Sequence, residues 1–205
     1  MLFNKIKTLV HLCLLVGICS CGQERSTALL GNSSIDRSEL ASVNSRDLVL
    51  RAQEGLFCYN NQPFTGLAVR HYADSALAEE VVYIDGKREE VLKRWFPNGQ
   101  LSQKACYRNG RLHGLSLTWW EDGTPRSEAN FENGKPHGLQ KQWYRSGAIF
   151  KEQRLVHGIE EGMQKAWREN GKLYVNYEAR NGRIFGLKKA GLCYEVEDEI
   201  AQYGD

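Results

Sequence analysis

From Gly66 onward the chain repeats every 24 residues without an insertion, and this period constrains the fold more than any other feature. The units run 66–89, 90–113, 114–137, 138–161 and 162–185, and a sixth opens at Gly186 as GLKKAG before the pattern stops. One column holds Trp95, Trp119, Trp143 and Trp167, with His71 in the first unit. A Gly column (66, 114, 138, 162, 186) is broken by Glu90, a second (99, 123, 147, 171) by Ser75, and a third (86, 110, 134, 158, 182) is unbroken. The last two columns follow Asn, Asp, Ser or His. Asn-Gly and Asp-Gly mark tight hairpins, because both central residues of a type I′ turn need positive φ. Two turns per unit therefore predict two strands per unit and ten strands in five units.

Between turns the residues alternate with period two. In first strands Val91/Trp95, Leu115/Leu117/Trp119, Leu139/Trp143 and Met163/Trp167 share one face, opposite Arg94/Phe96, Thr118/Trp120, Gln142/Tyr144 and Ala166/Arg168. In second strands Leu101/Tyr107, Pro125/Phe131, Ile149/Leu155 and Leu173/Val175 point one way, and Lys104, Glu128, Glu152 and Asn176 the other. One apolar and one polar, aromatic-dotted face predicts an all-β fold: a single-layer, twisted antiparallel meander or solenoid. No long helical pattern exists to cover it. Stability should come from stacked aromatic ladders, with Trp95, Trp119, Trp143 and Trp167 as the main one. LVLRAQEGLFCYNNQPFTG (48–66) carries an N-terminal capping hairpin, read as 47–65, that turns at Asn60-Asn61; the array is read as 66–190, and 191–205 as a C-terminal cap or tail whose acids blunt the sheet edge.

The columns YRNGRLHG (107–114), FENGKPHG (131–138) and YEARNGRIFG (177–186) resemble MORN repeats, in particular the variant found in bacterial proteins. Proteins of that variant often carry the label YwqK-type antitoxin, and other MORN arrays are membrane-associating or scaffold modules. The resemblance brings no catalytic residues with it.

The N-terminus suggests export. Lys5 and Lys7 precede a mostly apolar run, Thr8–Ile18, too short for a bilayer span, so residues 1–20 read as a signal peptide. The tail ICSC (18–21) resembles the lipobox of bacterial lipoproteins, which implies lipidation of Cys21; a plain secretory signal is the alternative. Residues 21–46, polar and Ser-rich, then read as lipidated Cys plus flexible tether. The expected location is the cell envelope, with Gly22 favouring the outer membrane by resemblance to the usual sorting rule. Cleavage takes Lys5 and Lys7 and leaves 25 basic against 25 acidic side chains. This balance lacks the polybasic footprint of a nucleic-acid binder.

Of the cysteines left after cleavage and lipidation, Cys58, Cys106 and Cys193 show no metal-ligand spacing. A Cys58–Cys193 bridge is conceivable, but end-to-end staples are rare in solenoids, so separate buried thiols are the expectation. Cys106, beside Lys104 on the polar face, is weighed as an activated thiol and set aside for want of a supporting His column. His113 and His137 recur before Gly, but Glu161 and Phe185 share their column. Both, and His157 in a turn, are read as structural, with no metal and no cofactor expected. Glu128 and Glu152 read as a solvated charged face. The column Tyr72, Phe96, Trp120, Tyr144 is the candidate binding surface, unless both aromatic columns are packing. The expected function is a non-catalytic envelope lipoprotein that binds a protein, a toxin among the candidates, or an envelope polymer, and sits on the membrane through its lipid. An antitoxin or immunity protein is the alternative, and a lipid- or glycan-binding scaffold the lesser one.

Overall fold

The computed structural model describes residues 40–187. It is all-β apart from one short 3-10 turn, Ser45–Asp47. A strand β1 (Ser42–Asn44) precedes a small hairpin region of β2 (Val49–Arg51), β3 (Leu56–Tyr59) and β4 (Gln62–Pro63). The repeats then supply β5 (Gly66–His71), β6 (Leu77–Ile84), β7 (Lys87–Trp95), β8 (Leu101–Arg108), β9 (Arg111–Trp119) and β10 (Pro125–Glu132). They continue with the two-residue β11 (Lys135–Pro136), β12 (Gly138–Trp143), β13 (Ile149–Val156), β14 (Ile159–Trp167), β15 (Leu173–Arg180) and β16 (Arg183–Leu187). Each strand from β5 pairs antiparallel with the next, as a meander of hairpins must, with β11 branching from β10. The sheet has 13 strands and is mixed because β1 lies parallel on β5. Ser42–Asn44 are thus sheet residues, not part of a tether ending at residue 46. Their neighbours Val49–Pro63 form a separate three-stranded sheet.

The two turn columns differ, against the expectation of type I′ turns at both. In the column of Gly86, Gly110, Gly134, Gly158 and Gly182, the preceding Asp85, Asn109, Asn133, His157 and Asn181 also have positive φ, between 48° and 52°. These are two-residue turns that follow the strand twist. At Gly99, Gly123, Gly147 and Gly171 only the glycine is left-handed. There Asn98, Asp122 and Asn170 accept the amide of the residue two further on, as in Gln100 N to Asn98 Oδ1 at 3.0 Å. That is an Asx-closed, wider turn. Ser75 takes the left-handed position in the first unit, at φ 68°.

The remaining glycine column, at Gly114, Gly138 and Gly162, sits at irregularities in the ladder rather than at turns. Across the β8–β9 pair, Ala105 faces Ser116 but Tyr107 faces Leu112, so extra residues are absorbed around Gly114. The same happens around Gly162, and Glu90 takes the place at φ 58°. A bulge bends the strand and raises its twist, which explains why the column favours glycine.

The side-chain faces also differ from the simple expectation. The deepest positions of the first strands are Ala68, Leu92 and Gln164, each at most 1 % exposed, with Ser116 in the same column. They share a face with Arg94, Phe96 and Tyr144, not with the Trp ladder, because alternate residues point the same way. Cross-strand register puts Tyr107 and Ala105 there too. The Trp face instead carries Lys93, Lys104 and the row Glu128–Lys141–Glu152–Lys165, paired strand by strand. Glu152 is flanked by Lys141 and Lys165 and Glu128 by Leu117 and Lys141, so neither carboxylate faces the other across the stripe. A bulge in each hairpin places Leu101, Pro125, Ile149 and Leu173 opposite Trp95, Trp119, Trp143 and Trp167. All four Trp are half-buried.

The densest core lies at the N-terminal end. Phe64, Ala68, Val81, Tyr83 and Leu92 form it, with Val43, Leu48, Phe57 and Tyr107 packed against it. Phe57 stacks at 5.0 Å on Tyr83, so the small sheet caps the first repeats. Asn60 and Asn61, both at positive φ, make the turn of this cap. Cys58 is buried and free, so it forms no bridge to Cys193, which lies outside the described residues. Cys106 is 3 % exposed and disulfide-bonded, which excludes an activated surface thiol.

Two turn glycines separate conformational strain from crowding. A Cβ on Gly99 would meet nothing, whereas one on Gly86 would lie 2.9 Å from the Phe57 carbonyl oxygen. Gly99→Ala should cost about 1 kcal/mol from φ alone. Gly86→Ala should cost clearly more, measured by urea unfolding of the two variants side by side.

Candidate binding cleft

The candidate column sits just beyond the first strand of each hairpin, at the mouth of the Asx-closed turns. Phe96 and Tyr144 each exchange backbone bonds across those turns, as in Phe96 N to Gln100 O at 2.8 Å and Tyr144 N to Ala148 O at 2.9 Å. Trp120 does the same with Thr124 O, and Tyr72 with Ala76 O. All four side chains are half-buried. The hydroxyl of Tyr72 donates to Trp95 O at 2.7 Å, and that of Tyr144 to Trp167 O at 2.9 Å. These two rings tie one repeat to the next, so they are structural posts as well as surface.

Of the four, only Trp120 and Tyr144 line an open cleft of about 750 Å³ between the third and fourth hairpins. Thr118, Ser127 and Gln142 line it, with Trp143 and Phe150 extending its aromatic wall. The Tyr144 and Phe150 rings are 5.0 Å apart. The Arg126 guanidinium lies 4.6 Å over the Trp120 ring, a cation–π contact that holds the indole face against a charge. Trp120 Nε1 is shielded from solvent and has no hydrogen-bond partner among the described residues. Arg145 and Glu169 complete the rim, with Arg145 Nε donating to Asp122 Oδ2 at 2.8 Å.

That bond, with the Thr124 amide behind it, holds the Asp122 carboxyl at about 2, well below its ordinary value of 3.8. The depressed pKa means the contact is intact above about pH 4 and is lost as pH falls through about 2. Phe96 lies one repeat away from the cleft, and Tyr72 two. Arg126, Phe150 and Arg145 escaped the sequence reading because no column repeats them. They belong to single units and meet only through lateral pairing.

Glu128 and Glu152 sit on the charged stripe, outside the cleft lining. His113 Nδ1 accepts the Asn133 amide at 3.4 Å, a turn-supporting role as expected.

Fold and cleft define a tandem β-hairpin repeat protein with an aromatic, partly charged groove. Residues 91–109 and 112–133 match the family model of the MORN repeat variant. No curated protein matches the chain. The matched stretches are the second and third units, and the later hairpins repeat their turns and register.

Two outcomes check this geometry. Tyr72→Phe should cost about 1 kcal/mol in chemical unfolding through loss of its bond to Trp95 O. Arg145→Ala should move the Asp122 carboxyl titration, followed by NMR, back up toward the ordinary carboxylate range.

Proposed function

We propose that this protein is a non-catalytic binding module, with the cleft around Trp120 and Tyr144 as its contact surface. The observation that carries this reading is a groove walled by half-buried aromatics and rimmed by Arg126, Arg145 and Glu169 on a rigid sheet. Its size lies in the range of ligand sites, and aromatics with arginine are the residues enriched in binding hot spots. A protein segment is the preferred ligand, because aromatic wall and mixed charge suit a peptide's apolar and polar groups together. An envelope polymer is the second.

The lipobox-like ICSC supports display of the module on a bacterial envelope through a Cys21 anchor, with the outer membrane the favoured location. Those residues lie outside the described part of the chain. Among the described residues, no helix is long and apolar enough to cross a membrane. The likeness to proteins labelled YwqK-type antitoxins supports a more specific version: an envelope immunity protein that neutralises an incoming toxin. An exported antitoxin of this kind would act outside the cytoplasm, where a lipid anchor has a purpose.

Cross-linking from intact cells, with the full-length lipoprotein as bait and a Trp120→Ala/Arg126→Ala double variant as control, tests the reading. A partner captured by wild type and lost from the folded variant is the expected result. Equal capture by both baits, or substrate turnover abolished by one point substitution, would refute it. For the immunity version, unchanged survival of a deletion strain under toxin challenge would count against it.

A further inference from the structure

The hairpin ends carry a second periodic contact, and it is broken at one place. In four repeats a side chain accepts the amide of the turn residue 20 positions later. Thr65 Oγ1 takes Asp85 N at 2.9 Å, Glu89 Oε2 takes Asn109 N at 2.7 Å, His113 Nδ1 takes Asn133 N and Glu161 Oε2 takes Asn181 N, both at 3.4 Å. The residue of this column that closes the third unit is His137, and the turn residue 20 positions later, in the fourth unit, is His157. There Nδ1 of His137 is shielded from solvent and has no hydrogen-bond partner. It points instead to Glu132 Oε2 at 3.4 Å, and His157 Nδ1 lies 3.7 Å from the same oxygen. The two imidazole rings are 4.8 Å apart.

Each of these departures is specific to this pair of hairpins. His157 stands where three other units have Asn and one has Asp. Glu132 stands where the other units have Ile84, Arg108, Val156 and Arg180. One donor atom from each of the three residues falls within 4.8 Å of the others. A tetrahedral zinc site, with bonds near 2 Å, separates its donors by roughly 3.3–3.5 Å. Half-exposed side chains reach that by small rotamer changes. Their backbones are held in place: His137 N donates to Asn130 O at 2.8 Å, and Gly158 N, beside His157, donates to Pro136 O at 2.7 Å. Lys135, opposite Glu132 in the turn, is exposed and can swing to solvent.

The geometry points to a divalent metal site of zinc type formed by Glu132, His137 and His157. Two imidazoles and one carboxylate suit zinc, with water completing the tetrahedron. The ion joins the Asn133-Gly134 turn to the His157-Gly158 turn and replaces the turn-capping bond that this repeat lacks. This overrides the reading of both histidines as purely structural, and it does not depend on the binding cleft.

The test uses the full-length protein, stripped of metal and titrated with zinc against a fluorescent chelator. His157→Asn is the central variant, because it restores the turn residue of the other repeats and so keeps the fold. Glu132→Gln keeps the shape of the carboxylate, and His71→Asn is a distant control. One zinc per chain at low micromolar or tighter affinity is expected, weakened at least about tenfold in His157→Asn and Glu132→Gln and unchanged in His71→Asn. Zinc should also raise the unfolding temperature of wild type but not of His157→Asn. Absence of zinc binding by the wild type would overturn the assignment, and so would affinity and thermal response retained in a folded His157→Asn.

Discussion

The structure depends on hydrogen bonds that stack one turn on the next. Four of the five two-residue turns pass their glycine amide to a carbonyl 22 residues earlier: Gly86 to Phe64, Gly110 to Arg88, Gly134 to Leu112 and Gly158 to Pro136, all between 2.7 and 2.9 Å. A bond at this fixed offset forms only if no residue is inserted anywhere in the unit. The strict 24-residue period is the sequence form of that constraint. The turn itself requires φ values that Asn and Gly accept cheaply, so local propensity and lateral stacking favour the same geometry. At the opposite ends of the hairpins the wider turns are also linked, by Asn98 Nδ2 to Glu121 O and by Arg145 to Asp122.

A long single sheet must protect its middle without a matching second layer. Here the first repeats bury aliphatic residues beneath the cap, and later ones bury polar residues in the same column. Gln164 is 1 % exposed, and its Nε2 donates to Arg154 O at 2.8 Å; Gln140 does the same to Asn130 O at 3.0 Å. Asn130 O also accepts the backbone amide of His137 at 2.8 Å, so Gln140 adds a second donor beside the bulged strand. Gln164 uses only its amide nitrogen: its Oε1 is buried with no hydrogen-bond partner among the described residues. This column turns from Ala68 and Leu92 to Gln140 and Gln164 along the array while the backbone geometry repeats, and Ala166, Tyr177 and Ala179 are buried beside it in the fifth unit.

This separation of backbone from side chains gives the molecule its functional latitude. The columns that hold the hairpins are occupied in nearly every unit, whereas the cleft and the histidine cluster take their character from Arg126, Arg145, Glu132 and His157, residues that no other unit has in the same column. A repeat scaffold of this kind presents the same framework at every step and varies what stands on it. The cleft aromatics at Trp120 and Tyr144 illustrate the overlap: Tyr144 both walls the groove and anchors the next repeat through its hydroxyl.

The sequence by itself determined the all-β class, the two-strand unit, the meander order and the cap turn at Asn60-Asn61. Each follows from period, alternation and residues with a preference for positive φ, which are local properties. Its reading of the faces failed because a bulge shifts the alternation within a strand, and a bulge depends on how two strands meet. For the same reason Leu101 came to face Trp95 while Tyr107 joined the opposite side. Only the tertiary structure brought Arg126 over Trp120, or Glu132 between His137 and His157. Those contacts join residues from different strands and turns: Arg126 meets Trp120 across one hairpin, and Glu132 meets His157 only through the register between neighbouring hairpins, distances that the order of residue types along the chain does not encode.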